Sequence, residues 1–271
     1  MTVDRSEFFD PDAVVKEVGR RIAQLRDTGE SCDYVTFVAN GEPTLDVNLG
    51  SEIAAVRELG VNVAVITNGS LLWREDVRRD LMAADWVSVK VDAVQDRQWR
   101  RTDRPHKQLR LVHVLSGTKE FAAEFTGILV TETMIIAKRN DQPDHLRRVA
   151  RYVADLAPRT AYLAVPTRPP TVRGVTGPDE EGLATAYALF KGEIDSVEYL
   201  IGYEGDAFSS TGEAAKDLLS ITAVHPMRED AVDSLLRRTG ADVSVLDTLL
   251  REGSLVRARF GGEVFYVRRL R

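Results

Sequence analysis

Two loops in the first third of the chain carry polar side chains directly after apolar runs with the composition of strands. In the first loop, Gly41 lets the backbone approach a ligand, Glu42 offers a carboxylate that can accept from an ammonium group, and Pro43 stiffens the turn. In the second loop, Asn68 stands in a Thr-Asn-Gly-Ser sequence. Because ligands of parallel sheets bind where strands lead into helices, we predict a ligand site formed by these loops.

The apolar run that begins at Trp86 carries Ser88, Lys90 and Asp92 at alternate positions, which places all three on one face of a strand. Three polar groups on one face of a central strand need a ligand or one another. The first interpretation is a ligand site. The second is a structural ion pair between Lys90 and Asp92, with a plain turn at Asn68. The residues alone leave both interpretations open.

Glu132 stands in Thr-Glu-Thr-Met within another apolar run, so its charge needs a ligand or a partner such as Lys90. We predict a cofactor or substrate role for it, because an acid inside a barrel is costly unless it is used. The histidines show no metal-ligand spacing, and His113 and His145 are predicted as helix-surface or core residues.

Two arginines, Arg104 and Arg168, lie on loops bounded by proline, a setting that suits recognition of a phosphate or a carboxylate. The alternative for each is a guanidinium that donates to loop carbonyls. Tyr203 and Glu204 follow the last predicted strand and are predicted to reach the same mouth. These four residues are therefore candidates for contacts with a substrate.

The composition excludes several classes of protein. The 271 residues have a net charge of -6, which argues against a surface that grips nucleic acid all over. No apolar stretch reaches the length of a membrane span, and no signal-peptide pattern opens the sequence, so we expect a cytoplasmic protein that contacts no membrane. Cys32 is the one cysteine, so neither a disulfide nor a cysteine-based metal site can form within the chain.

Strand-like runs alternate with helix-like stretches over residues 1–221, which predicts a parallel α/β sheet curled into a partial barrel. The predicted strands are 34–38, 61–66, 86–91, 128–136, 161–165 and 197–201. The predicted helices are 11–25, 49–59, 74–83, 109–125, 143–156 and 182–191.

The segment 222–271 has a different pattern, with two helices at 228–238 and 243–252 followed by a hairpin around Gly261 and Gly262. This order predicts a small winged-helix-like C-terminal domain. It contains nine Lys/Arg and seven Asp/Glu, so its charge is opposite in sign to that of the rest. Its arginines could meet an RNA backbone, although a solvated hairpin is the simpler interpretation.

An ordered set of short motifs extends over nearly the whole chain: GEPTLD, ITNGSLLWREDV, VSVKVDA, RPHKQL, TETM, PTRPP, EYLIGYEG and ITAVHPM. The set resembles the radical S-adenosylmethionine (radical SAM) superfamily, and within it an uncharacterised branch loosely akin to wyosine-forming tRNA enzymes. The resemblance implies that Gly41, Glu42 and Pro43 receive the amino group of S-adenosylmethionine. It also implies cofactor contacts at Asn68, Ser88, Lys90 and Asp92.

The same resemblance implies an enzyme that cleaves S-adenosylmethionine reductively to a 5′-deoxyadenosyl radical. Such an enzyme needs a [4Fe-4S] cluster, an electron donor and a substrate, which is unidentified and for which RNA is one candidate. Members of the superfamily bind the cluster through three cysteines spaced CxxxCxxC. This sequence has no such loop, and Cys32 is interpreted as a small residue at a strand entrance.

From this departure we expect that the cluster loop belongs to a segment upstream of Met1, and that the chain as given is inactive as a radical enzyme. Two alternatives remain open. One is a non-catalytic barrel that binds a ligand or RNA and has lost its cluster. The other is a barrel hydrolase or aldolase that uses Lys90 and Glu132.

Overall fold

A computed structural model of the chain describes residues 2–27, 29–38, 41–169, 174–200, 210, 212–224, 226–260 and 262–269. Tyr203 and Glu204, which are predicted to contact substrate, lie outside the described residues. The chain divides into two compact units. The first comprises Met1–Val165 and Thr176–Leu200, and the second comprises Pro166–Val175 and Ile201–Arg271.

The described part of the first unit is built on six parallel strands that lie side by side in chain order. The strands are β1 (Tyr34–Phe37), β2 (Asn62–Thr67), β3 (Trp86–Lys90), β4 (Ile128–Met134), β5 (Thr160–Ala164) and β6 (Val197–Leu200). The helices are α1 (Pro11–Asp27), α2 (Leu49–Arg57), α3 (Glu75–Leu81), α4 (Asp96–Thr102), α5 (Leu111–Glu124), α6 (Pro143–Asp155) and α7 (Glu180–Lys191). At least one helix lies in every connection between neighbouring strands, so the predicted parallel α/β sheet is confirmed.

The two faces of this sheet differ in chemistry because successive side chains of a strand point in opposite directions. Val87 and Val89 of β3 and Leu163 of β5 are fully buried and belong to the main hydrophobic core. Lys90 lies on the other face, where the strand register sets it beside Glu132 of β4. Polar groups therefore occupy the face opposite to the buried valines.

The second unit contains α8 (Ala214–Val224), β7 (Met227–Arg228), α9 (Glu229–Thr239), α10 (Ser244–Arg251), β8 (Leu255–Phe260) and β9 (Glu263–Arg268). The strands form an antiparallel sheet in the order β7-β9-β8. The two helices and the hairpin predicted for this region are present, whereas the winged-helix assignment stays a prediction. The boundary predicted between residues 221 and 222 also stays a prediction, but α8 crosses it and packs Leu218 into the core of the second unit.

Two helices, α4 and α8, were not predicted. In α4 the sequence DRQWRRT contains a single large apolar residue, Trp99, so no apolar periodicity marks it. None of the helices in the described parts of the chain combines the length and the apolar character of a membrane span.

One buried carboxylate, Glu52 of α2, is 3% exposed, and its Oε1 has no hydrogen-bond partner among the described residues. Burial, assisted by the neighbouring Asp46 carboxylate, raises the pKa of Glu52 from 4.5 to about 7. The folded state therefore holds this proton more tightly than the unfolded state. For this reason, Glu52 lowers the stability of the fold progressively as the pH rises from 4.5 through 7.

We expect Glu52→Gln to raise the free energy of unfolding by about 1 to 3 kcal/mol at pH 8 and by much less at pH 5. Urea unfolding at the two pH values measures this difference. Glu58→Gln, at an exposed position just after α2, is the matched control and should change little. A Glu52→Gln effect that is the same at both pH values would contradict the assignment.

Candidate ligand-binding site

A cavity of about 540 Å³ opens at the carboxyl edge of β1, β2 and β3. Its polar wall includes Glu42, Asn68, Ser70, Lys90, Asp92 and Asp103. Its apolar wall comes mainly from α4, α5 and the loop between them, and includes Trp99, Leu109, Leu111, Val114 and Leu115. Such a division fits a ligand that has a charged or hydroxylated part and an apolar or aromatic part.

Glu42 connects the loops after β1 and β2 through its buried carboxylate. Its Oε1 accepts from the Thr44 backbone N–H at 3.1 Å and from the hydroxyls of Thr44 at 2.7 Å and Thr67 at 2.5 Å. Its Oε2 accepts from the Asn68 backbone N–H at 2.8 Å. The conformation of both loops therefore depends on this one side chain.

The same contacts limit what Glu42 can offer a ligand. Oε1 already accepts three hydrogen bonds, whereas Oε2 accepts one within the described residues, so Oε2 is the oxygen that can take a further donor such as an ammonium. Burial raises the pKa of Glu42, and the hydrogen bonds from Thr44, Thr67 and Asn68 oppose that rise. Glu42 can therefore make the predicted contact with an ammonium through one atom, Oε2.

Lys90 and Asp92 form an ion pair, which was the structural alternative considered for them, and both residues also line the cavity. The Asp92 side chain is 2% exposed, and its Oδ1 accepts from the Met134 backbone N–H at 2.8 Å. Burial lowers the pKa of Lys90, but the charges of Asp92, Asp103 and Glu132 raise it more, so the net shift is upward. A lysine held as ammonium is a poor nucleophile, which disfavours the aldolase alternative.

Asp103, which was not predicted as a site residue, lines the same cavity and forms a hydrogen bond with Asp92. Loss of solvent around it, repulsion from Asp92 and the hydrogen bond between the two carboxyl groups raise the pKa of Asp103. Asp103 therefore holds its proton at neutral pH, and the group of Lys90, Asp92 and Asp103 carries little net charge.

The backbone carbonyl of Asp92 is hydrogen-bonded by two side chains that follow β4 in the chain. Asn140 Nδ2 donates to this carbonyl at 3.2 Å, and His145 Nε2 lies 3.1 Å from it. Since a carbonyl only accepts, Nε2 carries the hydrogen. Burial lowers the pKa of His145, which fits the neutral ring, and its 5% exposure confirms the predicted core position. Both residues position Asp92.

The other predicted site residues have different placements. Gly41 and Asn68 line the cavity, whereas Pro43 is buried at the start of a short 3-10 helix, Pro43–Leu45. Ser88 is buried on β3, and Glu132 lies beside Lys90 on β4. Neither residue belongs to the described cavity wall.

The two predicted substrate arginines belong to different units. Arg104 is exposed in the loop between α4 and α5, with a left-handed φ of 51°, and is not part of the described cavity wall. Arg168 follows β5 in the segment Pro166–Val175, which groups with the second unit. A substrate role for either residue stays a prediction.

The residues do not fit an iron–sulfur cluster. The chain contains one cysteine, Cys32, whereas a four-iron cluster of this kind requires three thiolates. Cys32 precedes β1 and contacts the Tyr34 carbonyl at 3.5 Å, so it lies at the amino edge of the sheet, away from the cavity. Within the described ranges, no three His, Cys, Asp or Glu residues form a metal-binding group.

No protein-family model matches the chain, but a curated relative is similar to it over its whole length. A UPF0026 protein of Methanocaldococcus jannaschii is 38% identical over 272 residues, which cover 100% of this chain and 84% of the relative.

Two solved structures share the fold. A radical SAM methyltransferase from Sphaerobacter thermophilus has a TM-score of 0.52 at 14% identity, over 72% of this chain and 59% of its own. SuiB of Streptococcus suis, solved with S-adenosylmethionine bound, has a TM-score of 0.52 at 12% identity, over 70% of this chain and 43% of its own. The predicted partial barrel is confirmed by this likeness.

Proposed function

The chain belongs to the UPF0026 family and has the fold of radical SAM enzymes, and from this premise we propose that it binds S-adenosylmethionine in the cavity at the carboxyl edge of β1, β2 and β3. One observation carries the proposal: five polar residues from four segments of the chain meet around this cavity, namely Glu42, Asn68, Lys90, Asp92 and Asp103. This is the edge at which parallel sheets bind ligands.

The chemistry of the wall fits S-adenosylmethionine part by part. The free acceptor position on Glu42 Oε2 suits the ammonium, and Lys90 suits the carboxylate. Asp103 offers an acceptor for a ribose hydroxyl, and the wall around Trp99 offers an apolar surface for adenine. The carboxyl groups of Glu42, Asp92 and Asp103 tolerate the positive sulfonium.

Radical enzymes of this fold obtain an electron for cleavage of the sulfonium from a four-iron cluster. Since the residues of this chain do not fit that cluster, we assign to them the binding and orientation of S-adenosylmethionine and no cleavage step. We propose an electron donor, a substrate and a 5′-deoxyadenosyl radical only for a protein of this family that holds a cluster.

The single cysteine favours binding of S-adenosylmethionine without cleavage as the function of this chain. Reductive cleavage is the second candidate function; it uses the same binding site and differs in product. Formation of 5′-deoxyadenosine under strongly reducing conditions distinguishes them, because only cleavage releases that compound.

We expect calorimetric titration of the chain with S-adenosylmethionine to give a dissociation constant on the order of 0.1 to 1 mM, because no iron chelates the amino and carboxylate groups. Asp103→Ala should weaken binding roughly 3- to 10-fold by removing one hydrogen-bond acceptor. Asp96→Ala is the control, because Asp96 is exposed on α4 and lies outside the cavity wall.

Absence of saturable binding at millimolar S-adenosylmethionine would contradict the proposal. Equal affinity in the Asp103 and Asp96 variants would remove Asp103 from the site and leave the cavity to be tested through its other residues.

A further inference from the structure

The segment from Asp96 to His113 is strongly basic in a chain whose net charge is -6. It contains six Lys/Arg and two Asp/Glu. The cations are Arg97, Arg100, Arg101, Arg104, Lys107 and Arg110, and all six side chains are exposed. The positive charge is therefore concentrated on α4 and on the loop from α4 to α5.

The fold adds two cations that are distant in sequence. The Arg101 guanidinium donates to the Lys138 carbonyl at 2.8 Å, and Arg139 donates to the Arg101 carbonyl at 3.3 Å. The Gln98 amide donates to the Arg139 carbonyl. These bonds hold the turn after β4 against α4, so that Lys138 and Arg139 extend the basic surface. We call the eight cations together the basic groove.

Few carboxylates neutralise this surface. Asp96 pairs with Arg100 at 2.8 Å, and Asp103 interacts with Asp92 in the cavity. Asp141 accepts from the Lys138 backbone N–H and from the Gln142 amide. Within the described residues, Arg100 is the one cation of the basic groove that forms an ion pair. Clustered like charges repel one another, and an anionic ligand relieves this cost.

The basic groove is continuous with the proposed cofactor cavity. Arg100, Lys107 and Arg110 line an open depression of about 730 Å³ next to it. Leu109, Leu111 and Leu115 line both the depression and the cavity. A ligand can therefore lie with anionic groups among the cations and with an apolar or aromatic part against the leucines.

We infer that the basic groove binds the phosphate groups of a second ligand whose apolar or aromatic part lies against the leucines beside the cavity. The inference rests on the proposed function, because that function places S-adenosylmethionine in the adjoining cavity. Arginine and lysine are the side chains that suit phosphate, and several cations in one groove match several phosphates. A nucleotide or a nucleic acid strand supplies this chemistry together with bases that pack on apolar surface.

The test measures fluorescence anisotropy of a labelled single-stranded oligoribonucleotide of about twelve nucleotides at low salt, with ATP as an unlabelled competitor. Lys107→Glu/Arg110→Glu should weaken binding at least 10-fold. It should also lower the magnitude of the slope of log affinity against log salt by about 1.4, since each of the two lost contacts with a single strand accounts for about 0.7. Arg259→Glu/Arg269→Glu, with the same change of charge in the second unit, should bind as the wild type does.

The outcomes separate the sources of phosphate. If ATP displaces the labelled oligonucleotide as well as an equal concentration of unlabelled oligonucleotide does, the ligand is a nucleotide. If only the unlabelled oligonucleotide displaces it, the ligand is a nucleic acid strand. Equal binding of the labelled oligoribonucleotide by the wild type and by the Lys107/Arg110 variant, or no binding of it to the wild type, overturns the inference.

Calorimetry with S-adenosylmethionine separates this test from that of the proposed function. The Lys107/Arg110 variant should keep its affinity for S-adenosylmethionine, because neither residue lines the cavity. If the wild type binds the oligonucleotide through the basic groove but does not bind S-adenosylmethionine, the proposed function fails and the phosphate site remains.

Discussion

Lys90→Met should lower the free energy of unfolding by about 3 to 5 kcal/mol at pH 8, because it leaves the Asp92 carboxylate buried without its cationic partner. The Met134 backbone N–H and the protonated Asp103 carboxyl remain as donors to Asp92, and neither replaces a full charge. At pH 5 we expect a smaller loss, since the unpaired carboxyl group can take up a proton. Urea unfolding at both pH values measures the two losses.

Two further variants test the physical reason for this loss. Lys90→Met/Asp92→Leu should recover most of the stability at pH 8, because no unpaired charge stays buried. Lys119→Met removes a lysine from an exposed pair with Asp155 and should cost under about 1 kcal/mol. A Lys90→Met loss no larger than that of Lys119→Met would show that the ion pair at the cavity is not a buried one.

Glu42→Gln should lower the free energy of unfolding by about 1 to 3 kcal/mol. The Thr44 and Asn68 backbone N–H groups donate to different oxygens of Glu42, and an amide supplies only one acceptor. One of these two backbone N–H groups therefore loses its partner whichever way the amide turns. Affinity for S-adenosylmethionine should fall roughly 10- to 100-fold, because the charge-assisted bond to the ammonium is lost with the loop geometry.

Unfolding and calorimetry on the same preparation measure both consequences. Glu30→Gln, at an exposed position before β1, is the matched control and should change neither quantity. A Glu42→Gln protein with the stability and the affinity of the wild type would remove Glu42 from both roles, as a link between the loops and as a cofactor ligand.

The strands of the first unit could be predicted from the sequence because β-branched and aromatic residues cluster in short runs, and the parallel order followed from their alternation with helices. The polar face of β3 could also be predicted, since the spacing of Lys90 and Asp92 matches the period of a strand. The two interpretations of that pair proved compatible, because an ion pair can line a cavity.

The contacts that shape the site could not be predicted, because they join residues far apart in the chain. Glu42 meets Thr67 and Asn68 across two neighbouring strand ends, and Asn140 reaches the Asp92 carbonyl from the loop before α6. Such pairs depend on strand register and on the path of the loops. Asp103 was not predicted as a site residue because it directly follows α4, and α4 has no apolar periodicity that would have located this helix or the residue after it.

The basic groove shows the same limit. Six of its cations stand together in the sequence, but Lys138 and Arg139 join them only through the turn after β4. In the second unit, α9 and α10 could be predicted from apolar periodicity, and the hairpin could be predicted from the paired glycines. The helix α8 was not predicted from the sequence.

Photolabelling with an azido-adenine analogue of S-adenosylmethionine, followed by mass spectrometric mapping, tests most directly the claim that this cofactor occupies the cavity. We expect the label on the apolar wall between Trp99 and Thr118, and we expect unlabelled S-adenosylmethionine to suppress it. Label that is confined to residues outside the cavity wall, or that excess S-adenosylmethionine does not suppress, would contradict the account.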